Sequence, residues 1–144
     1  MNAGRRLDLA RWAAVYFALV FGAGFALGPV RVLWLEPRVG VRTAELIEAP
    51  FMLLAIVLAA RWVGRNLRPG HGVPARLGVG VLTAGLVLVA DVAVGVGLRG
   101  QTVVEVFTAR DPVSGSVYYS LVAFTAVAPL FLGGGRGGDG RLRA

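Results

Sequence analysis

The sequence predicts an all-α polytopic membrane protein: four transmembrane helices in a bundle, with a short interfacial helix before the fourth. Three observations carry that expectation. Of 144 residues, 56% are hydrophobic and 16% charged, and the mean hydropathy is +0.70. The apolar residues gather in runs at or above the ~17 residues that a membrane crossing requires, instead of alternating as in a strand. The 15 basic residues, all arginine, fall mostly between those runs, where topology accounts for them.

Four runs with short connections leave no room for a separate soluble domain, so residues 1–132 read as one transmembrane unit. A net charge of +7 would suggest nucleic acid in a soluble protein, but no basic helix or aromatic-interleaved patch is present. The expected partners are instead the lipid bilayer and other membrane helices, including a second copy of the chain. The absence of cysteine excludes disulfides, thiolate metal sites and thiol catalysis. The lone histidine, His71, cannot supply the paired ligands of a two-histidine haem, and neither cofactor nor metal is expected.

The first span covers residues 12–30, after a basic start at Arg5, Arg6 and Arg11. It is longer than a signal-peptide apolar core and more spans follow, so it reads as a retained helix. Gly24 and Gly28 form a GxxxG pair that would let another backbone approach. Gly28-Pro29 weakens the helix end, Glu36-Pro37 stops the chain, and Trp34 suits the membrane interface. Thr43 is the expected N-cap of a second span over residues 44–62, which places Glu45 in a first turn where the helix dipole favours an anion. Glu48 lies a turn deeper, on a face shared with Met52, Ala55 and Ala59.

Residues 61–76 form the first clear loop, with Pro69-Gly70 and Pro74 as breakers and His71 expected in solvent. The third span covers residues 77–98, and its face of Gly80, Ala84, Asp91 and Gly95 should meet other helices. Arg99 and Gly100 end it. Thr102 to Glu105 then carries a capping-box pattern for the short interfacial helix. Asp111-Pro112 reads as an N-cap followed by proline at the first helical position, opening the fourth span over residues 112–132. The glycine- and arginine-rich tail, residues 133–144, is expected to be disordered.

Ten arginines fall on the side of the two termini and five on the other, so both termini are expected in the cytoplasm. Counted from the opposite side at ~1.5 Å per residue, Glu48 lies about 6 Å deep and Asp91 about 10 Å. Arg31 ends the first helix on that side, and Tyr118, Tyr119 and Ser120 begin the fourth there. An intramembrane polar cluster of Arg31, Glu45, Glu48, Asp91, Tyr118 and Tyr119 is therefore expected in the outer half of the bundle, with Arg42 nearer the surface.

Charges at membrane depth are costly and face a protein interior or a water cavity, so two readings stand open. In one, Arg31 pairs with Glu48 or Asp91 and the site fixes helix registry. In the other, the carboxylates outnumber the arginines at that depth, and one carries a proton or binds a cation. The first describes a non-enzymatic accessory or structural membrane subunit, the second a small proton- or cation-coupled transporter working as an oligomer through Glu48 and Asp91. An enzyme is disfavoured because no Ser/His/Asp set or substrate groove is recognisable.

At GPVRVLWLEPRVGVRTAELIEAPFM and again at ARDPVSGSVYYSLVAF, the chain resembles small, uncharacterised four-helix bacterial inner-membrane proteins of about this length. That resemblance implies the fold and the inner-membrane location, with no assigned activity and no further site residues. Small multidrug transporters are also four-helix proteins, but their essential glutamate is in the first helix. Residues 12–30 contain no acid, which separates this chain from them.

Overall fold

The computed structural model describes residues 3–68 and 70–133. They form α1 (Ala3–Val30), a π turn (Arg31–Leu35), α2 (Glu36–Val39), α3 (Val41–Asn66), α4 (Val73–Arg99), α5 (Val103–Thr108) and α6 (Pro112–Leu132). Four helices are long and apolar enough to cross a membrane: Ala3–Val39, Val41–Asn66, Val73–Arg99 and Pro112–Leu132. The architecture is the expected all-α bundle. The tail from residue 134 onward lies outside the described residues.

The first span differs most from the sequence reading. Neither Gly28-Pro29 nor Glu36-Pro37 breaks it, and helix continues for 37 residues to Val39. Proline removes one backbone donor and crowds the carbonyl four residues back. Here the wider π register begins at Arg31, two residues after Pro29, so the chain changes its hydrogen-bond spacing and stays helical. Pro37 is the second residue of α2, which continues the π turn without a break. The helix stops instead at Gly40, whose φ of +80° is open to glycine and strained for other residues.

Gly40 also occupies the position before α3, so Thr43 is not its N-cap, and no side chain caps that end. Glu45 consequently sits beyond the first turn. The loop expected over residues 61–76 is shorter, since α3 runs on to Asn66 and α4 begins at Val73 with Pro74 in its first turn, whereas the signals around α5 hold. Gly100 closes α4 in the left-handed region, Thr102 and Glu105 cap α5 reciprocally, and Asp111 accepts from the Val113 and Ser114 amides to open α6.

In the bundle, α1 packs on α3 and α4, and α6 packs on the same two, so the first and last spans lie across a diagonal. The α1–α3 register is antiparallel: Trp12 meets Trp62, Gly24 faces Met52 and Arg31 reaches Glu48. The interior is built from Leu9, Ala13, Tyr16 and Val20 of α1, spaced at helical intervals, against Ile56, Ala60 and Val63 of α3, Val79 of α4 and Ala128 of α6. Two polar contacts cross this interior. The Tyr16 hydroxyl donates to the Thr125 carbonyl at 3.2 Å, and the Thr83 hydroxyl to the Ala13 carbonyl at 3.1 Å. Such bonds are worth about 1 kcal/mol each, and they fix rotation as well as depth.

Backbones approach most closely at Gly80 and at the Gly64–Gly133 pair, while Gly95 makes room for the Val106 side chain of α5. A Cβ at Gly80 would overlap the Ala126 carbonyl, and one at Gly64 would overlap the Gly133 backbone. The GxxxG pair does not do this work: Gly24 lies beside the Met52 sulfur and nothing lies near Gly28. Small residues at a seam permit backbone contact, but only the seam actually used benefits.

Candidate functional site

The charged residues expected in the cluster sit at the end of the bundle where α2 and α5 lie, and they form two centres joined by a surface pair. The first is organised by Arg31 at the start of the π turn. Its Nη1 donates to Glu48 Oε2 at 2.8 Å, its Nε lies 3.2 Å from Glu36 Oε1, and its Nη1 lies 4.0 Å from Glu45 Oε1. Arg31 and Glu48 keep only 16% and 11% of their side-chain exposure, so water screens this pair weakly. Three carboxylates therefore surround one guanidinium.

The second centre is balanced. Arg110 Nη2 lies 3.0 Å from Asp91 Oδ2, and the Tyr118 hydroxyl donates to the same oxygen. The Arg110 guanidinium also stacks over the Tyr118 ring, 3.9 Å from its centre. One cation, one anion and one phenol thus satisfy each other, with cation–π attraction added to the ion pair. Tyr119 packs edge-on against Tyr118, but its hydroxyl points to the Phe107 carbonyl at 3.4 Å and takes no part in the ion pair.

Between them, Arg42 of α3 clasps Asp111, with Nε 2.9 Å from both carboxylate oxygens and Nη2 2.8 Å from Oδ2. Asp111 is the N-cap of α6, so this pair ties the start of α3 to the start of α6. The Arg42 guanidinium, with the Ser114 and Val113 amides, holds the Asp111 carboxyl down to about 2. Glu105 is also held below its ordinary range, by the Thr102 backbone and side chain that it caps.

The residues expected in one cluster are thus divided. Arg31, Glu45 and Glu48 share the first centre, Asp91 and Tyr118 the second, and Tyr119 stands beside it. Two participants escaped sequence reading. Glu36 reaches Arg31 because the helix runs on through the π turn, and placing a stop at Glu36-Pro37 hid that. Arg110 reaches Asp91 because α5 turns the chain back over the end of α4. The only local signal was its position next to the Asp111 cap.

At the opposite end, His71 is buried and not solvated as expected. The loop before α4 folds against α1, placing His71 Nε2 3.7 Å from Asp8 Oδ2. Among the described residues, no group of three or more histidine, cysteine or acidic side chains converges as a metal site. Comparisons with protein-family models, curated proteins and solved structures find no match to this chain. The functional reading therefore rests on the geometry alone.

Proposed function

We propose that the chain is a non-enzymatic accessory or structural subunit of the bacterial inner membrane, with both termini in the cytoplasm, that binds other membrane helices. The observation that carries this reading is how the charges are used. Each acid placed in a span near the α5 end lies within ion-pair distance of an arginine of the same bundle, and the contacts of Arg31 with Glu45 and Glu48 and of Arg110 with Asp91 join different elements and act as registry pins. The waist beneath them favours the same reading. Tyr16, Ile56, Val79, Thr83 and Thr125, drawn from all four spans, are fully buried there. A pathway for a solute through one bundle would have to part that layer.

The test is gentle extraction of the intact chain, followed by cross-linking and mass measurement. Recovery of a complex, with itself or with another membrane protein, is expected. A stable monomer with nothing attached under every extraction condition would sink the proposal.

A second reading, a small proton- or cation-coupled transporter working as an oligomer, draws support from the acid excess around Arg31. Its discriminator is flux into liposomes that disappears in Glu48→Gln or Asp91→Asn.

A further inference from the structure

The lipid-facing seam between α1 and α3 carries a groove of about 510 Å³ lined by Leu19, Ala55, Leu58, Ala59 and Trp62. Its walls are apolar and its shape is elongated along the helices, since Ala55, Leu58 and Trp62 succeed one another at helical spacing on α3. At one end the Trp12 and Trp62 rings meet edge to face, 5.8 Å between centres. Paired tryptophans are typical of the headgroup level, where an apolar ring with one polar N–H fits best.

Past the tryptophans both helices carry arginine in the same register. On α1, Leu19, Trp12 and Arg5 are spaced by heptads and so share a face; on α3, Leu58, Trp62 and Arg65 do the same at intervals of four and three. Arg11 and Arg61 flank these stripes, and all four arginines are exposed. The Trp12–Trp62 and Arg31–Glu48 contacts fix the antiparallel register, which sets Arg65 level with the α1 segment between Arg5 and Arg11. An apolar slot thus opens, at tryptophan level, toward exposed guanidinium groups that meet no acidic partner among the described residues; the nearby Asp8 is turned to His71.

We propose that this seam is a binding site for an anionic diacyl phospholipid, one acyl chain lying along Leu19, Ala55 and Leu58 and the phosphate held by Arg5 and Arg65. Charge complementarity selects this occupant over a second copy of the chain. A copy in the same membrane orientation, docked by the same face, would bring its own Arg5 and Arg65 to the same level, setting like charges together at the cost of both. A zwitterionic lipid would fill the slot but would leave the arginines only partly compensated, whereas guanidinium groups match a phosphate with parallel N–H donors.

The test titrates the full chain in detergent with phosphatidylglycerol, phosphatidylcholine or inorganic phosphate, reading bound lipid by native mass spectrometry and unfolding temperature in parallel. Saturable phosphatidylglycerol binding with a raised unfolding temperature is expected, and neither phosphatidylcholine nor phosphate should reproduce it. Arg5→Gln with Arg65→Gln should weaken phosphatidylglycerol binding roughly 30-fold, the equivalent of ~1 kcal/mol for each surface arginine removed. Both side chains are exposed, so that variant is expected to fold normally. Ala55→Phe, which fills the slot without touching the charges, should also weaken lipid binding, while Arg99→Gln at the far end should not. Equal binding of phosphatidylcholine, stabilisation by phosphate alone, or full retention of phosphatidylglycerol by the double variant would each overturn the site.

Discussion

The two charged centres at the α5 end solve the same problem differently. Around Asp91, charge is neutral and every partner is singular: one arginine, one tyrosine, with the arginine stacked on that tyrosine. Around Arg31, one guanidinium serves three glutamates at increasing distance, 2.8 Å to Glu48, 3.2 Å to Glu36 and 4.0 Å to Glu45. A balanced pair loses by any single change, because each partner would be stranded. An unbalanced centre has one group whose loss is fatal and others whose loss relieves repulsion. The difference separates a pin, which only holds helices, from a centre with spare acid.

The sharpest test of that contrast is Arg31→Gln. It leaves Glu36, Glu45 and Glu48 together without a cation in a weakly screened site. Breaking a buried pair by removing one partner costs about 3–5 kcal/mol, and three stranded carboxylates place this change at the upper end. Thermal unfolding in mild detergent should show the largest loss of any single substitution at this end of the bundle. A loss no greater than that of Asp91→Asn would mean that the glutamates do not depend on Arg31.

Asp91→Asn comes next. The amide still accepts from Tyr118, but Arg110 loses its counter-charge at a site where the pair keeps 22% and 26% exposure. Partial exposure lets water take up some of that cost, so about 1–3 kcal/mol is expected. Tyr118→Phe should cost less than Asp91→Asn, since it removes a hydrogen bond and leaves the ion pair and the stacking face.

Glu45→Gln should go the other way. Glu45 stands farthest from Arg31 and adds to an acid excess, so its neutralisation is expected to change stability by no more than about 0.5 kcal/mol, or to raise it. If Glu45→Gln instead destabilises as much as Asp91→Asn, the Arg31 centre is as tightly balanced as the other and its spare acid is illusory.

How much of this was legible beforehand follows the range of the interactions. The spans were legible because crossing a membrane demands long apolar runs. Asp111-Pro112 and Thr102 with Glu105 were legible because a cap is made by residues two or three positions apart. Pro29 and Pro37 misled because the rule that proline ends a helix assumes that water can satisfy the freed backbone; in an apolar setting the chain adopts a π turn and continues. Arg110 on Asp91 and His71 beside Asp8 were illegible for another reason. Both depend on where a short connection folds back, and that is settled by packing that no local pattern records. The division of one expected cluster into two centres has the same origin, since depth along helices can be counted and lateral position cannot.

The surface pair between the centres offers the smallest effect and the clearest sign. Asp111 is held down to about 2 by Arg42 and by two amides of the α6 cap, against an ordinary unfolded value of ~3.9. A carboxyl depressed in the folded state contributes stability that is fully present above its unfolded value and is lost as pH falls through its folded one. The unfolding temperature should therefore gain nothing from this group between neutral pH and about 5, then fall between about pH 4 and 2. Arg42→Gln should flatten only part of that acid limb, because the Val113 and Ser114 amides still hold the carboxylate; Asp111→Asn, which keeps an N-cap acceptor but carries no titrating proton, should remove the whole contribution. Arg42 is 57% exposed, so its share should also shrink with added salt, unlike that of Arg31. An acid limb unchanged in Asp111→Asn would show that the α3–α6 clasp adds nothing to stability and that the Arg31 and Asp91 centres hold this end of the bundle alone.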